Sequence, residues 1–496
     1  MTDRILGPRW PVLAATLLVL TGCGGTAAAN YDIVLKGGRV MDPESGLDAV
    51  RDVGIQGDRI AAISERPLTG TVVVDVNGHV VAPGFIDLHA HGQDLGDNQW
   101  QARDGVTTAL EMESGSWPVA EWYANRAKDA LLNYGITVGH VGSRIAYLAG
   151  AKTGEEVLGA RRATEPNPRW SHQRLPEAEF DGLVAKIKQG LDEGALGIGM
   201  GINYTPGASQ QEILRVFEVA AESKVPIYVH VRGAGPTEPN GSLTSIQEML
   251  ADALGTGAPL HIVHLGSSGL GQGPRLAAMI DAAKARGLDV TTEVYPYPAG
   301  STLLQSAIFD PGWQDRLGIN YGDLQWPATN ERLTEATFAK YRHQGGWVVI
   351  HMIPEATVNA LVAHPGIMIA SDGVPIINGR GHPRGVGTYA RVLGRFVREQ
   401  KALSLMEALK KMSYLPAERL RGAVPAMAAK GRIKVGADAD ITVFDPEHVL
   451  DRATFDNPAQ ASAGIPHVLV NGVFVVRDGK LVDGVLPGRP VRRVPR

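Results

Sequence analysis

A single cysteine, Cys23, occurs in 496 residues, so no internal disulfide can brace the fold. A strong charge of either sign is also missing. The formal net charge is −4, which gives no electrostatic case for a nucleic-acid partner. Beyond the first residues no apolar run is long enough to span a bilayer. The 60 glycines and 31 prolines are scattered, so they read as turns between elements and exclude a long disordered tract. No Gly-x-Gly-x-x-Gly follows an early strand, which weakens the case for a doubly wound dinucleotide-binding sheet.

What is present begins with a leader. Arg4 and Arg9 precede the apolar run 11–20, the layout of a secretory signal peptide spanning 1–22. Leu20-Thr21-Gly22-Cys23 then resembles a bacterial lipobox. A lone cysteine closing an apolar run is expected to carry lipid, with 23–30 as a short tether. The expectation is an exported lipoprotein facing the periplasm, anchored in the outer membrane, whose contact with the bilayer runs through the lipid alone.

Both ends of the remaining chain are rich in short β-like runs. Ile33-Val34-Leu35, Val53-Gly54-Ile55 and Val72–Val76 are punctuated by turn residues, and 439–444 and 467–473 repeat the texture. The expected arrangement is one small β-sandwich assembled from 31–82 and 423–496. Between them, 83–422 alternates strand and helix. Candidate strands are 84–89, 106–113, 135–140, 195–200, 225–231, 259–265, 289–295 and 367–372. Leu183, Ile187 and Leu191 mark a helix face, and Ser209-Gln210-Gln211-Glu212 reads as a capping box. Eight such units predict a (β/α)8 barrel of the α/β class, with the apolar run 347–351 in an inserted segment.

The strand ends carry the chemistry, because a barrel places its active site there. His89 and His91 stand two apart at the end of the first strand, so both imidazoles share a face and make half a metal site. His230, His264 and Asp372 close the fifth, sixth and eighth strands. On the second strand Glu111 and Glu113 alternate onto one face, where a carboxylate is costly unless it is paired or metal-bound. Glu113, nearer the strand end, is the favoured ligand, and Glu111 is the alternative or a hydrogen-bonding partner. His261, three before His264, is expected to face away. His140 is open between a supporting and a structural role.

An apolar strand ending in His-x-His, with ligands at these later strand ends, resembles the amidohydrolase superfamily. The stretches Gly194–Gly207, Glu293-Val294-Tyr295-Pro296-Tyr297, Gly381-His382-Pro383-Arg384 and 387–395 narrow the resemblance to its D-aminoacylase, or N-acyl-D-amino-acid deacylase, branch. The resemblance implies one or two zinc ions and hydrolysis of the amide bond of a small N-acyl amino acid. It implies Asp372 as general base and then acid, and Tyr204, Tyr295, Ser301 and Arg384 as substrate contacts, with the Arg384 fork suited to a carboxylate. Two positions depart from the branch: Ser114 where it often has a cysteine ligand, and Gly266 where it often has a lysine. A dipeptidase, a cyclic amidase and a metal-free binding protein on the same fold are the alternatives. Stereochemistry, acyl and side-chain preference, metal count and oligomeric state stay open.

If Cys23 is the anchor, Cys23→Ser moves the protein from the membrane to the soluble fraction on cell fractionation. Unchanged membrane partitioning of that variant contradicts the anchor.

Overall fold

A computed structural model describes residues 30–494, together with Met1, Thr2 and Gly7. The leader, the lipobox and Cys23 lie outside the described residues. The chain enters through β1 (Asn30–Asp42), β2 (Leu47–Gln56), β3 (Arg59–Ser64), β4 (Thr69–Asp75) and β5 (Val80–Pro83). β2 and β3 form a two-residue hairpin in which Gln56 faces Arg59, and Gly57 supplies the turn at φ +58.

The barrel follows, with β6 (Phe85–Asp87), β7 (Val106–Ser116), β8 (Asn133–Gly139), β9 (Ile198–Gly201), β10 (Ile227–His230), β11 (Leu260–Ile262) and β12 (Val290–Val294). An insertion then contributes β13 (Gly300–Leu303), β14 (Leu324–Trp326), β15 (Glu331–Arg332) and β16 (Trp347–Ile350), a separate antiparallel sheet in the order β13-β16-β14-β15. β17 (Met368–Ile369) is the eighth barrel strand. The order β17-β12-β11-β10-β9-β8-β7-β6 is sequential and its pairings are parallel, as a (β/α)8 barrel requires. All eight candidate stretches hold a barrel strand, most of them shorter than the apolar run that signalled them. The last residues of several runs turn out of the ladder to carry side chains toward the mouth.

β6 and β17 close the ring without a regular ladder. His91 and Gly92 both donate backbone N–H bonds to the Gly373 carbonyl, at 2.8 and 2.9 Å, and Gly373 N donates to the His89 carbonyl at 3.2 Å. Below the seam, Asp87 Oδ1 accepts from the backbone N–H groups of His89 at 3.1 Å and Ser371 at 3.0 Å.

The helices cover the barrel as their patterns dictate. In the helix Phe180–Asp192, Leu183, Ile187 and Leu191 are buried together. Ser209 caps the helix Gln210–Ser223 by accepting from Glu212 N, but the reciprocal half of the predicted capping box is replaced. The Glu212 carboxylate instead takes the buried Arg144 guanidinium and His140 Nε2, a stronger pairing than a bond to an exposed cap N–H.

The chain then returns through β18 (Ile441–Phe444), β19 (His467–Val470), β20 (Val473–Arg477) and β21 (Lys480–Leu481). β18 pairs with β5, so both chain ends share one nine-stranded sheet. Leu35, Val53, Val81, Ile441, Val443 and Leu469 belong to a core of its own. The tail does not stay in that sheet. Tyr134 N donates to the Arg489 carbonyl and Val491 N to the Tyr134 carbonyl, tying residues 489–491 to the start of β8.

Candidate metal centre

Four imidazoles and two carboxylates converge at the barrel mouth. His89 Nε2 lies 2.6 Å from Glu113 Oε2, 3.2 Å from His91 Nε2 and 3.5 Å from Asp372 Oδ1. His91 Nε2 is 3.2 Å from Asp372 Oδ1. On the other side of Glu113, Oε1 is 3.1 Å from His230 Nδ1, and Oε2 is 3.7 Å from His264 Nε2. The two rings on that side approach each other, His264 Nε2 to His230 Nδ1, at 3.1 Å. These side chains form two donor sets, His89-His91-Glu113-Asp372 and Glu113-His230-His264, each with its ligand atoms within 4.8 Å of one another. Glu113 is common to both. Nitrogen and oxygen donors in this number suit zinc, and the shared carboxylate suits a bridge between two ions, so the residues present fit the implied metal.

The backbone is bent to bring them there. His264 and Asp372 adopt left-handed φ of +32 and +49, conformations that side-chain-bearing residues rarely take outside functional sites. Both lie past the last paired residue of their strand. The register of β7 on β8 shifts between Glu111 and Ser116, which explains why two glutamates of one strand part company. Glu111 Oε2 meets His91 Nδ1 at 2.5 Å while Oε1 accepts from Ser114 N at 2.9 Å, so Glu111 orients His91. Ser114, one of the two departures from the resembled branch, belongs to neither donor set, and its Oγ accepts from Arg161.

Behind His89 stands a residue that strand-end reasoning missed. Glu293 Oε1 meets His89 Nδ1 at 2.6 Å, and its Oε2 meets His261 Nε2 at 3.1 Å. His261 therefore points toward the same interior as His89, and the expectation that it faces away is corrected. The three-residue spacing assumed a regular strand through His264, whereas β11 ends at Ile262 and the chain turns. Burial opposes the Glu293 charge, yet His89 and His261 hold its pKa down to about 2. Burial likewise opposes a charged His89, and the carboxylates of Asp372, Glu293 and Glu113 outweigh it and raise its pKa. Glu293 was findable, since a charge in Val290-Thr291-Thr292-Glu293-Val294 is as anomalous as Glu113. His140, bonded to Glu212, is structural, and His382 accepts from Arg384 N and so braces that arginine.

The four expected substrate residues line one cavity of about 1450 Å³ together with His91, Glu113, His230, His264 and Asp372. Tyr204 Oη meets Thr302 Oγ1 at 3.1 Å, and its ring packs on His230. Arg384 is buried, 4.7 Å over the Tyr295 ring, with its fork on Asp372 at 2.8 and 2.9 Å. Burial disfavours the charged carboxylate of Asp372, but Arg384 and His89 overcome this and lower its pKa below the ordinary range. Tyr295 Oη, Ser301 Oγ and Arg384 Nε are buried without hydrogen-bond partners.

The amidohydrolase family model matches residues 72–476. The chain belongs to the amidohydrolase family. It is 32% identical to an N-acyl-D-glutamate deacylase of Alcaligenes xylosoxydans xylosoxydans, over 94% of this chain and 97% of that one. A solved D-aminoacylase, described with a binuclear metal centre, is 28% identical with a TM-score of 0.78, over 93% of this chain and all of that one. An N-acyl-D-glutamate deacylase from Bordetella bronchiseptica, solved with zinc and a phosphonate mimic of the tetrahedral intermediate, is 27% identical with a TM-score of 0.76. That likeness covers 94% of this chain and 100% of that one.

Glu293→Gln is expected to weaken zinc binding by ~10–100-fold in competition with a chromophoric chelator, because it loosens the orientation of His89. Unchanged zinc affinity in a variant of unchanged Tm contradicts that role.

Proposed function

We propose that this amidohydrolase is a zinc-dependent deacylase of N-acyl-D-amino acids. His89, His91, Glu113, His230, His264 and Asp372 would hold one or two ions, with Glu113 as the bridge. Zinc held by these residues would lower the pKa of a coordinated water toward ~7 and polarise a carbonyl oxygen. Asp372 takes a proton from the attacking water as its oxygen bonds to the acyl carbon. It returns that proton to the nitrogen as the C–N bond breaks, releasing an amine and a carboxylic acid, whose remaining proton passes to the amine to leave a carboxylate and an ammonium group.

One observation carries the preference for a linear substrate with a free carboxylate. The buried, unpartnered donors of Tyr295, Ser301 and Arg384 line the cavity beside the donor sets. A substrate carboxylate would satisfy them, whereas a cyclic imide brings no such group. Tyr204, on the far side of His230, would pack against the acyl or side-chain end. The kinship with deacylases of N-acyl-D-glutamate and other N-acyl-D-amino acids supports the same substrate class. The leader and lipobox support a proposal of export and lipid anchoring through Cys23, which would place this hydrolysis on the periplasmic side.

Asp372→Asn keeps the shape of the side chain and removes its basicity. Turnover of an N-acetyl-D-amino acid should fall by at least ~100-fold while much of the zinc is retained. A panel of N-acetyl-D- and L-amino acids, dipeptides and hydantoins, followed by amine release, checks the substrate class. Full activity of the variant refutes the role of Asp372. Cleavage confined to dipeptides or cyclic amides refutes the deacylase reading.

A further inference from the structure

The cavity is walled on one side by the helix Gly154–Arg162, whose last turn carries Arg161. Arg161 Nη2 donates to Ser114 Oγ at 3.2 Å, which pins the guanidinium to the end of β7, one residue from Glu113. Of the other arginines lining this cavity, Arg126 is paired with Asp129, Arg342 with Asp310 and Arg384 with Asp372, and Arg162 has no carboxylate partner among the described residues but is exposed. Among the described residues Arg161 has no ion-pair partner, and its one side-chain hydrogen bond goes to a neutral hydroxyl. Arg162 beside it is exposed, whereas Arg161 is half-buried and held in place. A guanidinium has five N–H donors, so four remain for a ligand.

Arg161 and Arg384 also face the centre from different walls. Arg161 sits over the end of β7, and Arg384 beside Tyr295, just past β12. Those strands are three places apart one way round the ring and five the other. A substrate whose α-carboxylate lay at Arg384 and whose amide lay at the donor sets would have its other arms free to reach the wall on which Arg161 stands.

We propose that Arg161 is a specificity residue that receives a second carboxylate of the substrate. That group sits on the amino-acid side chain or at the far end of a dicarboxylic acyl group. A partly desolvated guanidinium with no internal carboxylate binds such a group bidentately and gains little from an apolar arm. This inference rests on the deacylase reading.

The test compares kcat/KM for N-acetyl-D-glutamate, N-succinyl-D-leucine and N-acetyl-D-leucine in the wild type, Arg161→Met and Arg161→Lys. In Arg161→Met the ratio of a dicarboxylic substrate to N-acetyl-D-leucine should fall at least ~10-fold, mainly through KM, and Arg161→Lys should restore part of it. A fall confined to N-acetyl-D-glutamate places the second carboxylate on the side chain. One confined to N-succinyl-D-leucine places it on the acyl group. Equal changes for all three substrates, or none, overturn the role of Arg161. Failure of the wild type to cleave any of the three overturns the deacylase reading itself, and this inference with it.

Discussion

The carboxylate of Glu113 lies between His89 Nε2 at 2.6 Å and His230 Nδ1 at 3.1 Å, and the rest of the barrel mouth is arranged around that contact. A buried carboxylate with no partner is expensive, and buried ring nitrogens with nothing to bond are costly too. Each makes the other tolerable. The strand that delivers Glu113 is held tightly, since a Cβ at Gly199 would come within 2.3 Å of the Glu113 carbonyl oxygen. Glycine at 199 is what lets β9 approach β7 closely enough to fix the bridge.

The closure of the barrel supplies the remaining ligands. Bringing the end of β17 against the end of β6 sets the Gly373 carbonyl between the N–H groups of His91 and Gly92, and so sets Asp372 beside both histidines. Fold closure and assembly of one donor set are therefore the same event. Beneath it, Glu293, Glu111 and Asp87 brace His89, His91 and the seam from three directions. The left-handed backbone at His264 and Asp372 is strain that such a braced neighbourhood can hold.

Much of this was legible because a barrel converts sequence order into position. The eight strands and the residues at their ends needed only the alternation of apolar runs with amphipathic stretches. What the sequence could not carry was local irregularity. Strict alternation puts Glu111 and Glu113 on one face, and a register shift after Glu111 sends them to different partners. The same regularity misplaced His261, because β11 stops two residues before His264. Glu212 carried a sound capping-box signal and still went to Arg144, a partner 68 residues away. The capture of the Arg384 fork by Asp372 likewise depends on the loop after the eighth strand, whose path no periodicity records.

Anomalous diffraction at the zinc edge, from crystals of the zinc-loaded protein, tests the central claim most directly. The account predicts a zinc peak with a Glu113 oxygen among its ligands at ~2.0–2.2 Å, and, where two ions bind, one Glu113 oxygen on each. Zinc coordinated by the histidines with Glu113 outside ligand distance would contradict it.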